Sequence, residues 1–400
     1  MALRIGKDRI MKIVANNNLT ISIALALFVL SSSVFAEPPD NAALLYYQAF
    51  LLYEKPDETM SKMLTDFHDG KIGANEAIEQ HIENNHRVID FIVTAADTPK
   101  CDWGYDYSQG FDMVMPNLAQ LRRATFLIEA DAKLLGVQGN YKTALDRCLS
   151  MHKMALHAAD RTIISYLVAI AISARANTVM PDILKDTPEN PEILNWLKEQ
   201  LIHIENRFPS LRNFITYEAE VCAASMQKDK AQAIVKMASD EECSDPNTTE
   251  LILTADEEFF QRNRDHYLDY MARIQGVLDT DMTYMQAHAK LRQLEEELEQ
   301  EAKEKQTPLA VIFAPAADKI YTLPVRQKTH FNAVKTAIEI YMIKAKTGRL
   351  PDALPVGLPK DLFSGKDFEY EKKDGGFVLR CQAKDLNKDE IYQYEFEISD

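Results

Sequence analysis

Glutamates and histidines near residue 80 are the first side chains whose spacing could support chemistry. Glu83 and His86 have the Glu-x-x-His spacing of one iron-ligand pair in a ferritin-like bundle, and Glu76 and Glu79 lie on the preceding turns. A di-iron site needs two such pairs and two further carboxylates, and this sequence contains a single pair. We therefore interpret the stretch as a solvated helix face.

Other motifs that indicate catalysis or a bound cofactor are missing from the sequence. It contains no His-Glu-x-x-His, no Gly-x-Ser-x-Gly, no phosphate-binding loop, no dinucleotide fingerprint and no Cys-x-x-Cys. Carboxylates are too numerous in so acidic a chain for a catalytic pair to be recognised by spacing. We predict no catalytic, cofactor-binding or metal-binding residues and favour a non-catalytic protein over an enzyme.

Calcium is the one cofactor that a motif in the tail leaves open. Asp385, Asn387 and Asp389 occupy the first three oxygen-ligand positions of a calcium loop. The sixth position, where the sharp turn requires glycine, is Glu390. We expect an ordinary polar hairpin loop, with calcium binding as the alternative.

An aromatic loop is the remaining candidate site. Residues 97–116 form the one long irregular stretch of the first half and contain Trp103, Tyr105 and Tyr107 among aspartates. Such rings could present a ligand surface to a sugar or a peptide, and we name these three residues as a tentative ligand surface. The interpretation that we favour is that the rings close one end of a helical body.

The elements that would position these residues are mostly helices, and residues 117–159 predict two of them folded into a hairpin. Apolar or small residues recur at steps of three and four along the first helix: Leu118, Leu121, Thr125, Ile128, Ala132 and Leu135. The facing stripe of the second helix is made mainly of small residues: Ala144, Cys148, Met151, Ala155 and Ala158. Gly136 and Gly139 allow the reversal between them. The same period recurs around this hairpin, which predicts a mainly α fold, an irregular multi-helix bundle or solenoid-like body.

Two helices are expected before the aromatic loop. Residues 40–53 are apolar nearly all round, which predicts a helix buried on several sides. Residues 74–96 have isoleucines on one face and predict a single continuous helix.

The tail changes from a helical to a strand period. A helix that contains Phe331 is stopped by Gly348, and beyond it Asp374-Gly375-Gly376 predicts a hairpin turn. Apolar residues then alternate with polar ones: Tyr392, Tyr394, Phe396 and Ile398. We predict a helical body over residues 37–323 and, over 324–400, a small α+β unit with a helix and antiparallel strands.

Residues 1–36 have the pattern of a secretory signal peptide. A basic region ends at Lys12, Leu19–Leu30 is apolar, and Val34 and Ala36 place small residues where a signal peptidase reads them. The apolar core of about a dozen residues is shorter than the roughly 20 needed to span a bilayer. We predict an exported protein, periplasmic or extracellular, with no membrane span after cleavage; a retained anchor is the alternative.

The net charge argues against two classes of partner, and the cysteine content argues against a disulfide-rich fold. The net charge of −16 opposes binding to nucleic acid and to anionic membrane surfaces. Five scattered cysteines do not make a disulfide framework, although an oxidising compartment would permit a Cys222–Cys243 bond.

Two segments resemble known families. Ala333–Tyr341, Gly348–Pro351 and Leu358–Lys366 resemble the C-terminal part of type II secretion pseudopilins, and such tails also occur on exported bacterial proteins of undefined role that have helical bodies. The resemblance implies a helix leading into a small antiparallel sheet; the pseudopilin leader, with its glycine cleavage site, is not present. Gly139-Asn140-Tyr141-x-x-Ala144 is similar to the junction of one tetratricopeptide unit, without a 34-residue repeat around it.

These observations predict an exported, non-catalytic binding or structural protein of the cell envelope whose helical surface engages a protein partner. One alternative is a secreted hydrolase or lyase that acts on polysaccharide, with the Trp103 loop at its cleft. Another is an accessory component of a type II secretion or pilus-like assembly, which the tail resemblance implies.

Signal cleavage is directly testable. Because small residues at Val34 and Ala36 fit a signal peptidase, we expect the protein isolated from the envelope to begin at Glu37 by N-terminal sequencing. Replacing Ala36 with lysine should block processing. An isolated wild-type protein that retains residues 1–36 would contradict cleavage and support the anchor.

Overall fold

The fold was described from a computed structural model, which defines residues 39–187, 190–240 and 246–398. The predicted signal peptide and Cys243 lie outside the described residues, and Cys222 is a buried free thiol. The helices are α1 Ala42–Leu52, α2 Glu58–His68, α3 Glu76–Asn84, α4 His86–Asp97, α5 Pro116–Val137, α6 Tyr141–Ala158, α7 Ile163–Leu184, α8 Pro191–Arg207, α9 Leu211–Ser225, α10 Ala231–Asp240, α11 Pro246–Thr254, α12 Glu257–Leu278, α13 Tyr284–Lys305, α14 Pro308–Ile312 and α15 Ala317–Thr347. The strands are β1 Glu369–Lys373, β2 Gly376–Arg380 and β3 Gln393–Glu397. The predicted fold class, mainly α with a small antiparallel sheet in the tail, is confirmed.

The predicted central hairpin is formed by α5 and α6, and α7 packs against both. Its stripe of small residues is fully buried, as at Cys148 and Ala155, because small side chains let helices approach closely. Among the described residues, α7 is the one helix long and apolar enough to cross a membrane, with 61% of its most apolar window buried inside the protein. It packs against α5, α6 and α15, as a core helix does.

The prediction of one continuous helix over residues 74–96 is wrong, because the helix is interrupted at Asn85 and forms α3 and α4. The Asn85 side chain is fully buried, accepts from the Glu54 N–H at 3.0 Å and donates to the His81 carbonyl at 3.0 Å. Asparagine competes in this way with the backbone bonds of a helix. The Glu83–His86 pair therefore spans two helices, and both side chains are exposed.

The tail sheet has the order β1-β2-β3, with both pairs antiparallel. Tyr394 and Phe396 of β3 are buried between exposed neighbours, as the alternation predicts. Gly375 has a φ of +76° in the turn, and a Cβ at Gly376 would lie 2.1 Å from the Phe396 carbonyl oxygen, so both positions require glycine. The charged side chains of the edge strand β1, such as Glu371, oppose strand addition at that edge.

The tail is joined to the helical body by a buried ion pair and by α15. The predicted boundary after residue 323 falls inside this helix, which continues through Pro324. The Asp385 carboxylate is 0% exposed and accepts from Arg326 Nε at 2.7 Å and the Tyr392 hydroxyl at 3.2 Å. Its second oxygen accepts from the Asn387 N–H at 2.9 Å. Asp385 therefore closes its loop and pairs it with α15.

Removing the Asp385 charge should destabilise the protein. Asp385→Asn breaks a buried pair and leaves Arg326 without its counter-ion, so we expect the free energy of unfolding to fall by about 3 kcal/mol in urea titrations. The matched change Asp389→Asn, in the same loop but exposed and paired only with Lys384, should cost less than about 0.5 kcal/mol. Equal effects of the two changes would show that the ion pair does not hold the tail.

Candidate functional site

The three residues of the tentative ligand surface are not exposed together. Trp103 is only 5% exposed, and its Nε1 donates to the His157 carbonyl at 2.8 Å. Tyr105 and Tyr107 are half-buried and contact each other edge to face. The Tyr105 hydroxyl donates to Asn117 Oδ1 at 2.7 Å. The Trp103 indole is therefore buried between α1 and α6, and its ring faces are not exposed beside those of the two tyrosines.

The aromatic loop, residues 97–116, packs against α1 and fixes its position. The Trp103 ring stacks on Tyr46 of α1 with centroids 5.4 Å apart, and the Tyr46 hydroxyl lies 3.1 Å from His157 Nδ1. At the start of the helix, the Asn41 amide donates to the Asp102 carbonyl and its oxygen accepts the Asp102 N–H, at 2.9 and 2.8 Å. Ring packing at one turn and paired hydrogen bonds at another fix the helix in position and rotation.

The outer face of α1 is exposed and apolar, so the prediction that this helix is buried on several sides is wrong. Leu44, Tyr47, Leu51 and Leu52 form this face, which we call the α1 surface, and their exposed fractions run from 38% to 86%. The inner face, including Tyr46, is buried. The sequence shows that α1 lacks a charged face, but it does not show that four of its apolar side chains are exposed on one side.

A cavity of about 640 Å³ begins where α1 ends. Tyr53 and the following loop form one wall, and helices α2, α5 and α7 form the others. Its volume lies in the range of small-molecule sites. The wall combines aromatic rings, such as Phe126, with several cationic side chains.

A buried carboxylate organises the base of this cavity. Glu129 is 2% exposed, and its side chain contacts His68 on one oxygen and Arg175 on the other, with Arg175 Nε at 2.6 Å. The guanidinium of Arg175 lies over the Phe126 ring, with its central carbon 3.9 Å from the centroid. Because a buried carboxylate needs polar partners, Glu129 holds the His68 imidazole of α2 and the Arg175 guanidinium of α7 at the cavity wall.

The sequence analysis did not predict this cavity, because the residues that line it come from distant segments of the chain. His68, Glu129 and Arg175 are brought together only by the packing of α2, α5 and α7. The available signal was Glu129 itself, a charged residue next to Ile128 on a face that the helical period marks as buried.

A serine–histidine pair lies beside a second cavity of about 380 Å³ that Ser173 lines. Its hydroxyl is 2.8 Å from His152 Nδ1 and accepts from Gln327 Nε2 at 2.6 Å. Burial lowers the pKa of His152 to about 3, so its imidazole is neutral and a poor proton acceptor near pH 7. The Phe331 ring packs against His152 edge to face. The cluster joins α6, α7 and α15.

The described residues contain no group of three or more histidine, cysteine, aspartate or glutamate side chains placed to hold a metal ion. At the calcium motif, Asp385 bonds Arg326, Asn387 Oδ1 lies 2.8 Å from His288 Nε2, and Asp389 pairs with Lys384. The three side chains are therefore engaged by protein groups.

Comparisons with known proteins gave no match. Family models, curated proteins and solved structures were each searched, and none matched this chain.

Three histidines that are fully or partly buried make the stability depend on pH. Burial lowers the pKa of His152 to about 3 and those of His157 and His330 to about 4, below the usual value near 6.5. The unfolded chain therefore binds protons that the folded chain excludes. Their stabilising contribution is complete above pH 6.5. It is lost as the pH falls from 6.5 to about 4 for His157 and His330 and to about 3 for His152, by up to about 1.4 kcal/mol per pH unit for each histidine.

Urea unfolding at pH 7.5, 6 and 5 measures this loss. His157→Gln keeps an acceptor for Tyr46 and removes one titrating group, so its stability should fall less steeply with acid than that of the wild type. A wild-type stability that is unchanged between pH 7.5 and 5 would contradict neutral buried imidazoles.

Proposed function

We propose that this protein is an exported, non-catalytic binding protein of the cell envelope, and that the α1 surface docks a protein partner. The observation that carries the proposal is the exposed apolar face of a helix that the Trp103 loop holds rigidly. Export is supported by the signal pattern of residues 1–36, which ends just before α1.

The spacing of the α1 surface favours a helical partner. Leu44, Tyr47 and Leu51 recur at steps of three and four, which is the stripe that packs against the apolar face of another helix. Gln48 is exposed among them and adds a hydrogen-bonding group without charge. A contiguous exposed apolar face of this kind is typical of an interaction site.

Net charge favours protein over lipid as the occupant. At −16 the chain is repelled by anionic membrane surfaces, and α1 contains no basic residue that would offset the repulsion. We therefore assign the α1 surface to a protein segment with an apolar stripe.

A photo-crosslinking amino acid at Gln48 tests this assignment in the cells that make the protein. We expect one discrete protein adduct, and we expect Leu51→Asp to reduce its yield at least ~10-fold, because a charge within an apolar contact must be desolvated. The matched change is Leu253→Asp, at an exposed leucine of α11, which should leave the adduct unchanged.

Each contrary result has a clear meaning. Adducts with lipid alone would make the occupant a membrane and contradict the proposal. Equal loss with Leu51→Asp and Leu253→Asp, or no discrete adduct at all, would show that the α1 surface is not the docking site.

A further inference from the structure

The cavity between α2, α5 and α7 is cationic in a strongly acidic protein. Lys55, Arg123, Lys133 and Arg175 line it, together with His68, against the carboxylates Glu129 and Asp69. The four lysine and arginine side chains against the two carboxylates give the wall a local excess of two positive charges, while the chain as a whole is at −16. A wall that opposes the charge of the whole molecule concentrates anions in its cleft.

Two of these cations have no acidic partner within the part of the chain that the structure describes. Arg175 is paired with Glu129, and Lys133 Nζ lies 2.9 Å from Asp182. Among the described residues, Arg123 makes only a 3.4 Å hydrogen bond to Gln120, and Lys55 forms neither an ion pair nor a hydrogen bond. Lys55 and Arg123 are therefore available to an anionic group that enters the cavity.

Much of the remaining wall is apolar. The rings of Tyr53 and Phe126 and the side chain of Leu64 line the same space, and Phe126 is 46% exposed. Arg175 holds the Phe126 ring by lying over its face. A ligand that satisfied Lys55 and Arg123 would thus place an adjoining chain or ring against apolar side chains.

We propose that this cavity binds an amphipathic anion, in which a carboxylate or phosphate headgroup pairs with Lys55 and Arg123 and an apolar chain packs against Tyr53, Leu64 and Phe126. The inference goes beyond the docking of a partner at the α1 surface and does not depend on it. Because Arg175 is already paired with Glu129, it is not available to the headgroup of a ligand. The headgroup is recognised by Lys55 and Arg123.

Isothermal titration of the purified full chain with matched amphiphiles tests the proposal. The probes are dodecanoate, dodecyl phosphate and dodecyltrimethylammonium, below their micelle concentrations, and acetate. We expect at least one of the two anionic amphiphiles to bind ~10-fold or more tightly than both the cationic amphiphile and acetate, since charge and chain must both be present. The two anionic probes also distinguish a carboxylate from a phosphate ligand.

Variants locate the binding. Lys55→Gln combined with Arg123→Gln should weaken binding of the anionic amphiphile at least ~10-fold, while Arg122→Gln, at the neighbouring exposed arginine outside the cavity, should leave it unchanged. Ser61→Trp, at an exposed position of the wall, should block the cavity and abolish binding. Circular dichroism confirms that each variant is folded.

The proposal is overturned if the cationic amphiphile binds as tightly as the anionic ones, or if none of them binds. It is also overturned if Arg122→Gln weakens binding as much as the double variant, because attraction would then come from the surface rather than the cavity. Crosslinking at Gln48 should be unaffected by Ser61→Trp, so the two proposals can fail separately.

Discussion

The hydrogen bond from the Trp103 indole to the His157 carbonyl is the interaction on which the placement of the first helix depends. This bond places the indole between α6 and α1, where its ring stacks on that of Tyr46. The inner face of α1 also packs against α4, and the indole adds a stacked ring contact with Tyr46 to that packing. Trp103, which the sequence suggested as part of a ligand surface, therefore packs beneath α1. The exposed apolar face is the α1 surface, on the helix that Trp103 contacts.

Buried carboxylates hold distant segments of this protein together. Glu129 unites α2, α5 and α7, and Asp385 unites the tail with α15. Asp361 has a related role through backbone donors. Its buried carboxylate accepts the Phe363 and Gln382 N–H groups at 2.9 and 2.8 Å and so orders the loop before the sheet. Each carboxylate is costly to bury unpaired, so each fixes the position of its partners. One of these pairings also shapes the cationic cavity.

Local periodicity predicted the elements whose burial follows from their own sequence. The α5–α6 hairpin and the alternation in β3 are of this kind. The break at Asn85 was not predicted, because it depends on a bond to Glu54 from another segment. The exposed side of α1 was not predicted either, since composition reveals that a face is apolar but not whether a neighbour covers it. The cavity shares this limit, because its cations are recognisable as a site only after three helices have packed.

Hydrogen exchange within α1 tests most directly the claim that the Trp103 loop holds this helix as a rigid platform. In the free wild-type protein, amides of residues 45–52 should exchange as slowly as those of α4, which packs against α1. Trp103→Ala should accelerate exchange in α1 while leaving α12, in the same molecule, unchanged. Fast exchange of α1 in the wild type, or an α1 that is unaffected by Trp103→Ala, would contradict the account.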